Sequence, residues 1–434
     1  MTVDRRAILA GAGLAVLAGT ARAQPQPAPA SPAAVPATPQ PSLQERLVAR
    51  AQQHRHALAF DGHRFSGPGW DLLVEEGRQA KFFMLGEEHG LAENAHLSAQ
   101  LVETLAPHGY NRLVVEISPP MAQEVGAALD RGGLAGLQRY YTQHQTGVAF
   151  YTMAEEAQFL ARARKVLPRG EDALWGLDYE VAADRRLINR LKVKPKPPAA
   201  RTPMTALITA SAAAWADYER SRNPGVIFTF AGDPQLVRNL RAAWPNPDPE
   251  SDWILDTLEG TLEANNLWLQ QKGWDSNQRR ADLMRANWAR YWRGLGPKAK
   301  STKAFFKFGA SHLVRGRNMS EVIDMGSMIA ETAALQDQPS FNIFVVGGKN
   351  ARAAKFNPVA WRYEPGPAAN AGENGVQFLA DGALPQGFTV IDLRPLRALL
   401  TAGRTQNADA RMVRVVHGFD ALVVMPGAHA SLNL

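Results

Sequence analysis

The sequence predicts an α/β fold, with a mostly parallel central sheet flanked by helices and helical insertions walling a cleft. Three observations carry this expectation. Short apolar runs recur between longer stretches of helical periodicity, the pattern of strands alternating with helices. Between the first two runs, 82–85 and 113–117, Ala95, Val102 and Leu105 fall at helical spacing, giving a strand–helix–strand unit of the length a parallel crossover needs. Two segments, 121–167 and 251–295, read as helices added to the sheet, and helical additions above such a sheet usually enclose a pocket.

Taken in order, residues 1–23 have the layout of a signal peptide. Arg5 and Arg6 precede the apolar run 7–17, and Ala21-Arg22-Ala23 is the small-x-small pattern cut on export. The paired arginines suit twin-arginine export to a periplasmic or secreted location. The run is shorter than the about 20 residues that span a bilayer, so no stable membrane anchor is expected after cleavage. With Cys 0, neither a lipidated cysteine nor a disulfide is available. Residues 24–42 form a Pro/Ala linker that cannot bury a core. Residues 43–434 then make a single domain, and 45% hydrophobic content allows a sizeable core. Lys+Arg 48 against Asp+Glu 41 gives a formal +7. No basic block with interleaved aromatics accompanies it, so the partner expected is a small-molecule substrate and not a nucleic acid. Nothing in the composition fixes an oligomeric state.

Further strands are expected at 174–177, 226–230, 304–308, 341–346, 388–393 and 421–425. In the first insertion Leu134, Leu137, Tyr140 and Tyr141 are the expected packing residues. In the second they are Leu255, Leu258, Leu262 and Leu269 on one helix, and Leu283, Met284, Trp288 and Tyr291 on the next. Gly273-Trp274-Asp275-Ser276 reads as the break between those two helices, with a left-handed glycine stop and a capping Asp or Ser.

Chemistry gathers at strand ends, where ligands of parallel α/β sheets bind. Glu87, Glu88 and His89 follow the first run, Glu116 lies inside the second, and Ser311 and His312 follow 304–308. A neutral imidazole can take a proton from water while a carboxylate fixes its tautomer; the same set of groups could hold a divalent metal. Glu116, within the apolar VVEIS, needs a partner because a buried lone carboxylate is costly. Of this group Glu88 is the one that best fits a merely solvated or capping residue, and His96 and His108 on the following helix read as ordinary surface or packing histidines. Arg280, Met284, Asn287 and Tyr291 share one helical face, which is either an ion-pair site or the side facing the cleft, where an arginine could hold a carbonyl or an oxyanion. There is no G-x-S-x-G elbow, Walker loop or H-E-x-x-H.

These segments together resemble the erythromycin esterase-like superfamily, which takes in ChaN-like haem-binding proteins and the TIKI/TraB group. The likeness rests on Leu85-Gly86-Glu87, His89-Gly90 with Glu93, Val114-Val115-Glu116, Trp175-Gly176-Leu177-Asp178, Arg280 with Met284 and Asn287, Gly309-Ala310-Ser311-His312, Met325-Gly326-Ser327, Leu393-Arg394 and Phe419-Asp420. It implies ester hydrolysis without a covalent serine intermediate. His89 would activate water, with Glu87, Glu116 and His312 around it, Arg280 toward the substrate, and Glu88, Glu93 and Asn287 as substrate-binding candidates. No cofactor is expected on that reading; the alternatives are a divalent metal, or haem or iron held without turnover as in ChaN-like proteins. One residue separates Glu87 from His89 where the esterases have two, as in the G-E-x-H of ChaN-like proteins. Ala281 stands where an aspartate is expected, and GASH replaces H-N-x-H.

Overall fold

The computed structural model describes residues 41–144, 148–169, 173–401 and 408–434. The expected signal peptide and linker residues 24–40 lie outside them. The domain opens with α1 (Leu43–Gln53), where Ser42 and Glu45 form a capping box: the Ser42 hydroxyl accepts from the Glu45 amide and the Glu45 carboxylate from the Ser42 amide. There follow β1 (Arg55–Phe60), β2 (Phe65–Ser66), α2 (Pro68–Gln79), β3 (Phe82–Glu87), α3 (Ala92–Leu105) and β4 (Tyr110–Val115). The first insertion is α4 (Pro119–Gln143) and α5 (Ala154–Val166), leading to β5 (Leu174–Gly176). A helical region holds α6 (Asp184–Val193), α7 (Arg201–Ser221), α8 (Phe228–Ala231), α9 (Pro234–Ala243), α10 (Pro249–Leu269) and α11 (Gly273–Gly294). The chain returns through β6 (Lys303–Gly309), α12 (Ala310–Leu313), α13 (Met325–Ala334), β7 (Ser340–Gly347) and the hairpin β8 (Arg352–Asn357) with β9 (Arg362–Pro367). It closes with α14 (Asn370–Glu373), α15 (Gln377–Asp381), β10 (Phe388–Asp392), α16 (Ala410–Gly418) and β11 (Ala421–Met425).

Nine strands form one sheet in the order β2-β1-β10-β11-β7-β3-β6-β4-β5. From β11 to β5 every pairing is parallel, and β10, β1 and β2 complete an antiparallel margin. Period-two alternation splits the side chains of the central strands between two cores. Phe83, Leu85, Phe305 and Val345 pack against α3, α4 and α5. Phe82, Met84, Phe306 and Phe344 pack with residues of α11, α13 and α16. Helices on both faces of a parallel sheet explain why its strands read as unbroken apolar runs.

Three expectations need correction. Residues 226–230 are not a strand. A tight turn at Pro224–Val226 leads into α8, and the carbonyls of Thr229 and Gly232 accept from Asn265 and Asn266 of α10 at 2.8 Å each instead of joining a ladder. The left-handed residue between α10 and α11 is Gln271 (φ 61). Helix α11 already begins at Gly273, so Asp275 and Ser276 lie inside its first turn, and the Ser276 amide bonds the Lys272 carbonyl at 2.9 Å. Leu269 is 49% exposed rather than packed. The second helical insertion packs on the sheet through α11: its Trp288 meets Phe82 and Phe306 at 5.5 and 5.3 Å, and its Tyr291 stacks on Trp175 at 4.6 Å.

Candidate active site

The carboxyl ends of β3, β4, β5 and β6 converge on one buried group, Glu116, the residue after β4. One of its oxygens faces Arg280 Nη2 at 3.0 Å and His312 Nε2 at 3.3 Å. The other accepts the Gly309 amide at 2.6 Å and faces His89 Nε2 at 3.5 Å. Burial alone would raise the Glu116 carboxyl, but His312, His89 and Arg280 outweigh it and hold the group well below the usual carboxylate range.

His89 sits two residues beyond β3 in a turn closed by Gly90, whose φ of +84 only glycine adopts without strain. A Cβ on Gly90 would also lie 2.3 Å from the Ala354 carbonyl oxygen. Glu87, the last residue of β3, accepts from His89 Nδ1 at 2.9 Å; because an ionised carboxylate only accepts, Nδ1 carries the hydrogen and Nε2 is left as the atom able to take a proton. Burial works to lower the His89 pKa, but Glu116 and Glu87 together raise it above its ordinary value. Its ring, 27% exposed, stacks face to face on Phe150 at 3.9 Å. Phe150 has φ +61, and its amide donates to the Tyr363 hydroxyl; the Tyr363 backbone is in turn bonded at both N–H and C=O by the Asn433 side chain, each at 2.8 Å.

His312, at the end of α12, gives Nδ1 to Asp324 at 2.8 Å. Asp324 and Glu116 overcome burial and raise it to about 10, so it is cationic at neutral pH. Gly309 supplies the room for this crowding, since a Cβ there would lie 2.7 Å from His89 Nε2 and 3.3 Å from a Glu116 oxygen. Arg280 reaches in from α11, bonding Asp178 at 2.8 and 2.5 Å and lying over the Tyr179 ring at 4.4 Å. Both helical insertions therefore touch the site, the first through Phe150 and the second through Arg280.

Glu87, His89, Glu116, His312 and Arg280 are thus brought together, while three other candidates are engaged elsewhere. Glu88 accepts from the Gly347, Ala369 and Asn370 amides and faces Lys355. Glu93 binds the amide and ring of His429 at 2.9 and 2.6 Å. Asn287 bonds the Leu177 carbonyl at 2.8 Å and accepts from Trp253 at 3.0 Å, fastening α11 to the end of β5 and to α10.

Residues not singled out as site candidates complete the network. Lys307, fully buried on β6, holds Glu87 at 2.5 Å and Glu156 of α5 at 2.8 Å, and Asn94 also donates to Glu87. Asp324 and Asp178 anchor His312 and Arg280. Among the described residues no group of three or more His, Asp or Glu side chains is placed to hold a metal ion. The donor set itself does not fit a divalent metal: the oxygens of Glu87 and Glu116 already face His89, His312, Asn94 and an amide, and the fixed cations Lys307 and Arg280 sit on the same two carboxylates. Nor does it fit haem through His89, whose two nitrogens both face carboxylates and whose ring face is covered by Phe150.

The fold has solved counterparts. A histidine-to-asparagine variant of the erythromycin esterase EreC, in its open conformation, superposes with TM-score 0.57 at 15% identity, over 88% of this chain and 99% of that one. The chain has the erythromycin esterase-like fold. A Bacillus cereus protein is similar at TM-score 0.54 and 15% identity, over 91% of this chain and 100% of that one. A succinoglycan biosynthesis protein is similar at TM-score 0.51 and 12% identity, over 90% and 99%. No family model matches the sequence, and no curated protein matches it. The resemblance drawn from the strand-end motifs and the mostly parallel α/β class both hold at the level of fold.

Proposed function

We propose that this chain is a hydrolase that cleaves an ester of a small molecule by water activated at His89. The observation that carries the reading is the bracketed imidazole: Glu87 takes Nδ1, and Nε2 looks toward Glu116 at a partly exposed sheet edge. In the neutral ring Nε2 takes the proton from water as the oxygen attacks the ester carbonyl, and the imidazolium returns that proton to the leaving alkoxide. His312, held as a cation, and Arg280 supply positive charge near the carbonyl oxygen as negative charge develops on it. The solved EreC likeness supports a hydrolase and does not name the substrate. Export and removal of residues 1–23 belong to the same proposal; amino-terminal sequencing of protein from the producing cells tests them.

The decisive experiment is an ester-substrate panel on the purified protein and on His89→Ala and Glu116→Gln. The expected loss in kcat/KM is about 10²–10⁴-fold for His89→Ala, the range of a general base, with cooperative unfolding kept. Full activity in both variants would sink the reading. Activity is expected to survive a chelator, since the site carboxylates already have their partners; loss on chelation and recovery with one divalent metal would overturn that point.

A further inference from the structure

We infer that Lys307 and Glu156 are positioning residues for His89, a buried ion chain that holds Glu87 in the one orientation offering its second oxygen to Nδ1. Calling His89 the base rests on the hydrolase reading; the positioning itself does not. Lys307 lies in the middle of the sheet, beside Leu85 of β3 in register, with its side chain 0% exposed. Its ammonium reaches one Glu87 oxygen at 2.5 Å, and Asn94 donates to that same oxygen, so the other is left for His89. Glu156 approaches the ammonium from α5 at 2.8 Å, and Tyr151 and Phe159 close over it with ring centres 5.7 and 5.6 Å away. The Tyr151 hydroxyl donates to the Lys307 carbonyl, which fixes the strand beneath.

A buried trio of this kind is an expensive scaffold, because apolar residues of similar volume often stabilise as well or better. Its placement behind the Glu87–His89 pair gives it a use. Across the whole network five carboxyls (Glu87, Glu116, Glu156, Asp178, Asp324) face four bases (His89, His312, Lys307, Arg280), so full ionisation leaves one excess negative charge. That excess falls on Glu156: burial pushes its carboxyl up to about 7 and Glu87 adds to the rise, against the pull of Lys307. Among the described residues one Glu156 oxygen also has no hydrogen-bond partner.

The charged and titratable groups facing His89 are Glu87 from β3, Glu116 beyond β4 and Lys307 from β6, with His312 and Arg280 across Glu116. Those facing Glu156 are Lys307, Glu87 and His89, together with the hydroxyls of Tyr141, Tyr151 and Tyr363. Lys307 opposes the protonation of His89, whereas ionised Glu156 and protonated His89 stabilise each other. The two positions therefore act on His89 with opposite sign.

The test is an NMR titration of the His89 imidazole in the full chain and in Lys307→Met and Glu156→Gln, with kcat and KM measured alongside. Lys307→Met is expected to move the His89 midpoint up and Glu156→Gln to move it down, each by on the order of half a pH unit. In both variants kcat falls about tenfold or more while KM changes little, the mark of altered chemistry rather than altered binding. If Lys307→Met does not fold, the isosteric Glu156→Gln decides alone. An unmoved or upward midpoint in Glu156→Gln overturns the inference, as does movement of both variants in one direction. Opposite shifts in a protein that hydrolyses no ester would leave the positioning standing and sink the hydrolase reading instead.

Discussion

Glu116 is the residue on which the site turns, and its setting explains why single atoms matter around it. Two histidines, an arginine and a backbone amide share its two oxygens, so there is no slack in the space between β3, β4 and β6. Gly309→Ala is expected to push the His89 ring off Nε2–Glu116 alignment and lower kcat/KM at least about 10²-fold, with a stability cost of about 1–3 kcal/mol. An alanine variant of full activity would show the crowding to be harmless. Asp324→Asn removes the carboxylate that most raises His312, so its NMR midpoint should fall from about 10 toward the ordinary imidazole value. At this scale the sequence is partly transparent. Glu116 is found because a carboxylate inside VVEIS needs a partner, and the same argument applied to the lysine inside AFFKF leads to Lys307. Glu156 and Asp324 carry no such mark, since an acid in a helix or a loop reads as solvated until tertiary packing buries it.

The elements divide by how much of their pattern is local. Strands β3, β4, β6, β7 and β11 are plain in the sequence because burial on both faces makes them continuous apolar runs. The run 226–230 looks the same and is helical, because periodicity cannot separate a short buried strand from a buried helical turn. Strand β1 is missed for the opposite reason: as a half-exposed strand near the sheet margin, its RHALAF pattern is mixed. The turn joining β3 to α3 gives a sharp test. Gly90→Ala must accept both a positive φ and a Cβ contact of 2.3 Å with the Ala354 carbonyl, so a loss of about 2 kcal/mol or more is expected in chemical denaturation. A midpoint equal to the parent's would contradict the close approach. Trp288→Ala on α11 should cost about 3–5 kcal/mol, since the ring fills the space between Phe82 and Phe306.

For the whole molecule, the network is expected to make stability and the proposed hydrolysis depend on pH in opposite directions. His312 has its folded pKa raised from 6.5 to about 10, so its contribution is full below 6.5 and lost as pH rises through 10. Glu156, raised by burial from 4.5 to about 7, also favours the folded state below 4.5 and loses that contribution as pH climbs through 7. Glu116 and Glu87, held low, stabilise above 4.5 and lose that on acidification. Thermal stability is expected to peak on the acid side of neutrality and decline toward pH 10. On the proposed mechanism hydrolysis needs neutral His89, so its rate should rise with pH through a midpoint above 6.5. A melting temperature that climbs steadily from pH 6 to 10 would count against this picture.

The contact between Asn433 and Tyr363 has a reach out of proportion to its size. Through Tyr363 it reaches the amide of Phe150, and the Phe150 ring covers His89, so the segment 430–434 and the His89 imidazole are expected to open together. In a hydrogen-exchange experiment the Phe150 amide should keep pace with the amides of Tyr363 and that segment, and Asn433→Ala should speed all of them together while leaving the amides of β3 and β7 unchanged.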